Sequence, residues 1–297
     1  MTYYFDEKTE ALIKRVMQME NEDIPHQQFA DLVYLLLGGE LKYNLFAKLY
    51  PDNACYDVFI RLENIGTYAQ YQAHPSQFKG TWYGAEGTAI DDVVDEYGAE
   101  VIIYHGLNRL TNCLNTVQCG RNSAGDELLS NSVLKRVLNG QRRTCGSIGL
   151  YLSYLDHAGI VWIDHENKVI NRYDPFYCDL PEGHRVKRSE FEESVHDAWD
   201  AQEMIDIGLG EFFGQIMPDY KYLGNNLAGH QCIQEARMMG RKYSDYFCQD
   251  YSILYAIRRV NGMSHEQAAR DLMEHAGEIL DEIEQLMRVM VKVRYGK

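Results

Sequence analysis

The sequence predicts an α+β fold: a mixed sheet flanked by helices, with a mostly helical region ahead of it. Three observations predict this. Residues 147–173 read as successive strands joined by a short polar turn. Apolar residues recur at helical spacing near the start of the chain, at Leu12, Ile13, Val16 and Met17, and again near its end, at Leu272, Ile279, Ile283 and Leu286. The 297 residues are 45% apolar, which suffices for one large domain or two modest ones.

Taken in order, Glu7 to Met19 and His26 to Leu37 are amphipathic helices, the second stopped by Gly38–Gly39. Asn53 to Gly87 is mixed and aromatic, with a strand at residues 58–62 and loops at Gly80, Gly84 and Gly87. Thr88 to Tyr97 forms a short helix. A strand around Val101–His105 follows, then a helix through Leu110, Cys113 and Leu114. The polar, glycine-containing stretch 120–127 divides an accessory N-terminal region, 1–125, from a second region, 126–297, and leaves open whether the two pack as one body.

Strands at Ser147–Leu155, His157–Ile163 and Val169–Tyr173 come next, with Asp164–Lys168 as the turn of the last pair. A turn centred on His165–Glu166 sets His157 and Asp174 opposite each other, within hydrogen-bonding reach; a three-residue loop makes the pair diagonal. Glu190–Trp199 and Ala201–Ile216 read as helices, and residues 220–247 as a glycine- and asparagine-rich approach. A buried helix then runs from about Cys248 to Asn261–Gly262. Ser264 and Gln267 form a capping box for a closing helix that Gly277 bends.

Charge limits the function. Forty-four acidic against 29 basic residues give −15, which opposes a broad electrostatic hold on nucleic acid or an anionic membrane. The first twenty residues are charged throughout and unlike a signal peptide, and no apolar run is long enough to span a membrane. Seven cysteines without a C-x-x-C pair point to reduced thiols and an intracellular protein.

The densest chemical signal is Cys248, at the first turn of its helix. Unpaired amides and the positive end of the macrodipole there favour a thiolate, hence a nucleophile near neutral pH. Such a nucleophile needs a base, an orienter and oxyanion donors. His157 suits the first and Asp174 the second. Gln231, or else Gln234, suits the third beside the Cys248 amide. No metal ligand spacing is recognised, and the chemistry requires no metal or organic cofactor. Each residue also has a plainer use: Cys248 as a small buried hydrophobe, His157 as a core histidine, Asp174 as a turn initiator before Pro175, Gln231 as a loop residue. Cys232 is a rival nucleophile without a helix start behind it.

The ordered set Arg172-Tyr173-Asp174-Pro175, Gly229-His230-Gln231 and Phe247-Cys248-Gln249-Asp250-Tyr251-Ser252 resembles the cysteine proteases of the adenovirus-protease and SUMO-protease superfamily, and more closely the divergent versions of large double-stranded DNA viruses. The likeness spans residues 145–290. It departs from that pattern at Ala158, Gly159 and Asp250-Tyr251, and in the longer gap between Gln231 and Cys248. The resemblance implies a papain-like, adenovirus-protease-like core and a Cys248–His157–Asp174 triad with Gln231 at the oxyanion. It also implies cleavage at small, glycine-containing sites in a protein substrate, either a viral structural precursor or a ubiquitin-like conjugate, inside a host cell or packaged in a virion. Two alternatives stand beside it: a virion structural protein on the same fold, packed against capsid proteins, and an acyltransferase or deubiquitinase using the same triad.

Overall fold

The computed structural model describes residues 4–40, 42–50, 55–62, 101–105, 120–121, 127–128, 147–154, 157–176, 206, 209–210, 213–214, 217–225, 227, 232–238 and 245–296. Helix α1 (Glu7–Gln18) begins where the Asp6 side chain accepts from the Thr9 amide at 2.8 Å, and its acidic first turn and Arg15 near its end match the helix dipole. It turns inward Ile13 and Val16 and passes into a 3-10 turn, Met19–Asn21. Helix α2 (His26–Leu36) follows Pro25 and ends at Gly38 and Gly39, both with positive φ. A side chain at Gly39 would also meet the Tyr34 ring, so the stop read from the sequence is enforced twice. Helix α3 (Lys42–Leu49), unforeseen in the sequence, buries Lys42, Tyr43, Leu45 and Phe46.

Among the described residues, eight strands form one mixed sheet: β1 (Cys55–Leu62), β2 (Val101–His105), β3 (Gly120–Arg121), β4 (Glu127–Leu128), β5 (Ser147–Tyr154), β6 (His157–Asp164), β7 (Val169–Tyr173) and β8 (Lys221–Gly224). Their order is β3-β4-β2-β1-β5-β6-β7-β8. β5, β6 and β7 make an antiparallel meander, while β1 joins β5 and β8 joins β7 in parallel. Residues 158–163 of β6 are buried without interruption, as expected of a central strand covered on both faces.

The β6–β7 turn is His165–Lys168, with Lys168 at φ 53 and the Asp164 carboxylate accepting from the Asn167 amide. This moves the pairing two residues from the expected register. Asp164 faces Val169 and Ile160 faces Tyr173, so Asp174 continues opposite Gly159, not opposite His157. The period of two keeps residues 157 and 174 on one face, as a diagonal pair.

Helices α4 (Ile233–Met238), α5 (Cys248–Val260), α6 (His265–Glu274) and α7 (Ile279–Tyr295) complete the order. The capping box at Ser264 and Gln267 is present in both directions. Residues 275–278 form turns, so the chain closes with two helices, not with one bent at Gly277. Helix α5 is buried nearly all round, and α1, α2, α3, α6 and α7 share one apolar core with it and with Ile160, Trp162 and Tyr173 of the sheet. The N-terminal helices are therefore built into the core that holds α5. The expected boundary at 125, and the expected helices at 88–97, 110–114 and 190–199, lie outside the described residues. No helix of the described residues is long and apolar enough to cross a membrane.

Candidate active site and a second cleft

Helix α5 runs from the edge of β6 to a cleft at the far side, and its two ends gather the polar side chains that matter. At its start, the Cys248 sulfur takes a backbone hydrogen bond from Ala158, the residue after His157. Buried Ser252, one turn on, has its hydroxyl 2.9 Å from the Cys248 carbonyl and 3.4 Å from the Ala158 carbonyl, so it stitches that turn to the strand. The Tyr43 hydroxyl of α3 reaches the Gly159 carbonyl at 3.5 Å. The thiol and the His157 backbone are thus neighbours. The His157 side chain lies outside the described residues.

Asp174 is fully buried just beyond β7. One carboxylate oxygen accepts from the Phe176 amide at 2.9 Å, the turn-initiating use of an Asp before proline. The other lies 3.4 Å from the Arg172 guanidinium, and the Asp174 amide donates to Asn225. Gln231 lies outside the described residues. The second choice, Gln234, aims its amide nitrogen at the Asp245 carbonyl, 2.6 Å away, and so braces the approach to α5. Cys232 is disulfide-bonded, with its sulfur 3.2 Å from the Asp174 carbonyl. That corrects the expectation of uniformly reduced thiols and removes Cys232 as a rival nucleophile, because a disulfide sulfur carries no thiolate.

The expected thiolate is also corrected. Cys248 is 6% exposed, and burial pushes its pKa up to about 12; the Ala158 hydrogen bond and Lys42 pull the other way, and Asp245 and Asp250 add to the rise. A helix end by itself favours a thiolate. In the fold, that end is already answered. Asp245 accepts from the Phe247 amide at 2.9 Å, from the Tyr251 hydroxyl at 2.7 Å and from Arg237, while Asp250 sits in the first turn. Asp250 pairs with Lys42 at 2.6 Å, both side chains almost wholly buried, and its second oxygen has no partner. Desolvation holds both carboxyls above the usual carboxylate range.

At the other end of α5 a cleft of about 780 Å³ opens between β6, β7 and the start of α6, with Trp162, Asp164, Asn171, Arg259 and His265 among its walls. Arg259 donates from Nη1 to Asn171 at 3.3 Å and to the Tyr255 hydroxyl at 2.9 Å, and lies over the Trp162 ring. The Tyr255 hydroxyl is 2.8 Å from His265 Nδ1, and burial together with Arg259 pushes the His265 pKa down to about 3. The sequence registered Arg258–Arg259 only as a basic helix end. The one signal for the cleft is the spacing of Tyr255, Arg259 and the capped start at Ser264–His265, which a helix pair with a tight turn brings to one side. Among the described residues no group of three or more His, Cys, Asp or Glu is placed to hold a metal ion.

Compared with known proteins, the chain matches no family model and no curated protein.

Proposed function

We propose that the chain is a thiol protease whose nucleophile is Cys248 and whose base is His157, on a papain-like, adenovirus-protease-like arrangement of helix against strand. The observation that carries this is the hydrogen bond between the Ala158 backbone and the Cys248 sulfur, which sets the thiol one residue from His157. The raised pKa keeps the resting Cys248 thiol protonated. His157 takes the proton as the S–C bond to a peptide or isopeptide carbonyl forms, and returns it to the amine as the C–N bond breaks. Water, deprotonated by the same ring, then displaces sulfur from the thioester and regenerates the thiol. Asp174 orients the ring from its diagonal position. Gln231 and the Cys248 amide receive the oxyanion. The substrate class is a protein with a glycine-containing site, a viral precursor or a ubiquitin-like conjugate.

A Gly-Gly peptide carrying a C-terminal vinyl sulfone tests this reading by intact mass and peptide mapping. The expected result is a single adduct at Cys248, formed about 100-fold or more slowly in His157→Ala, the scale of a lost general base. Labelling that is absent, or equally fast without His157, overturns the proposal.

The burial of Cys248 between Asp245 and Asp250 favours a second reading, a virion structural protein in which the thiol is packing against the strand and the function is contact with capsid neighbours. In that case Cys248 reacts with the vinyl sulfone only after denaturation.

A further inference from the structure

Arg172 and Arg259 offer a comparison inside one molecule. A guanidinium presents a side-on fork, Nε–H with Nη2–H, that matches the two oxygens of a carboxylate. In Arg172 the fork is filled: Nε and Nη2 each donate to an Asp206 oxygen at 2.8 Å. In Arg259 it is empty. The side chain is only 7% exposed, yet Nε has no hydrogen-bond partner and Nη2 makes nothing closer than a 3.9 Å approach to Asp164. Every hydrogen bond of this guanidinium comes from Nη1.

A second donor waits beside it. Arg259 carries only donors, so the Tyr255 oxygen accepts from Nη1 and the Tyr255 proton goes to His265 Nδ1. Neutral His265 then holds its own proton on Nε2. That nitrogen is buried and without a partner, in a residue 9% exposed. His265 is also the first residue of α6, directly after the Ser264 cap that takes the Gln267 amide. An unfilled buried donor loses its hydration without compensation, and a native fold that leaves two of them on the walls of one cleft has left places for an acceptor. The rim of the same cleft is acidic, with Asp164, Glu166 and Glu266.

The geometry points to this cleft as a binding site for a ligand with a carboxylate at its inner end and a cationic group further out. The carboxylate takes the Nε–Nη2 edge of Arg259, displacing the loose Asp164 contact, and His265 Nε2–H supplies a further donor. The cation is held by Asp164, whose oxygens keep their hydrogen bonds from Asn167, and by its acidic neighbours. Phosphate is disfavoured, because a dianion meets three carboxylates around one guanidinium. The cleft volume suits a free amino acid or the last two residues of a peptide. Arg259 stands about 16 Å along the helix from Cys248 at 1.5 Å per residue, so the site is separate from the thiol and does not depend on its chemistry.

Isothermal titration and ligand-induced thermal shift, on the full chain, test the assignment with lysine, the dipeptide Gly-Lys, Gly-Lys amide and inorganic phosphate. Saturable binding of Gly-Lys is expected. It should weaken by about tenfold or more for the amide and in Arg259→Lys, which keeps the charge and loses the fork. Lysine binding as well as Gly-Lys identifies a free amino acid as the ligand; Gly-Lys binding better identifies a peptide end. Binding of neither up to 10 mM of each overturns the proposal, as do equal affinities for acid and amide on the wild-type protein or tighter binding of phosphate. The acid-against-amide comparison needs no variant and stands even where Arg259→Lys fails to fold.

Discussion

At the N-terminal end of α5, Lys42 meets Asp250, and Asp245 collects the Phe247 amide, the Tyr251 hydroxyl and Arg237. At the C-terminal end, Arg258 is held by Asp271 and Glu282, but its neighbour Arg259 keeps one edge unfilled over a cleft. Both ends are buried, and both deviate from an apolar interior. The difference is that at the first the Asp250 charge has its counter-ion in Lys42, which fixes α3 onto α5 although one Asp250 oxygen makes no hydrogen bond, whereas at the second an edge of donors facing a cleft has no acceptor. Buried polarity answered internally locks packing; buried polarity left open asks for something from outside.

The largest effect expected from breaking this contrast is at the closed end. Lys42→Met leaves Asp250 buried without its counter-ion and should cost about 3–5 kcal/mol near neutral pH, read by urea unfolding. Desolvation already holds the Asp250 carboxyl high, so protonation relieves the loss, and the variant should come closer to wild type at pH 5. A cost under about 1 kcal/mol at both pH values would mean that the pair does not lock α3 onto α5.

At the open end the expected effect is a slope. His265 titrates near 3 in the fold against 6.5 in its unperturbed state, so the unfolded chain binds the extra proton between these values. Stability contributed by the neutral ring is full above pH 6.5 and is lost as pH falls toward 3, by at most about 1.4 kcal/mol per pH unit. His265→Gln should flatten the unfolding free energy measured from pH 6.5 to 4 relative to wild type. An unchanged slope would show that the ring is solvated and titrates normally. The smallest effect is at the mouth of the cleft: Ser264→Ala removes the cap of α6 and should cost about 1 kcal/mol by thermal or urea unfolding. No loss would place the helix start elsewhere.

Much of the fold was legible because its signals are local. The strands β6 and β7, the helices α1 and α2 and the capping box all announce themselves within a dozen residues. The register of the β6–β7 hairpin did not, because the loop that sets it depends on Asp164 turning back onto Asn167 and on the left-handed backbone of Lys168. Helix α3 is short and hidden behind the glycine stop. β8 is four residues long, and its pairing partner lies some fifty positions away in sequence. Of the candidate site, the position of Cys248 on its helix was legible and the state of its sulfur was not. The ion that faces Asp250 is 208 residues distant in the chain, and burial is a property of everything that packs around the sulfur. The disulfide at Cys232 escaped for a related reason: an odd cysteine count excludes complete pairing but not one bridge.

The sharing of one core by α1 and α7 sets a timetable for synthesis. Arg288 of α7 grips Glu10 of α1 across 278 positions, and Arg294 reaches the Leu37 carbonyl at the end of α2. A ribosome adding about 5–20 residues per second needs roughly 15–55 s between finishing the first of these helices and the last. Throughout that interval Ile13, Val16, Leu36 and Phe46 have no α7 to cover them. The nascent chain therefore carries an uncapped apolar surface until α7 has been made, and the core closes only then.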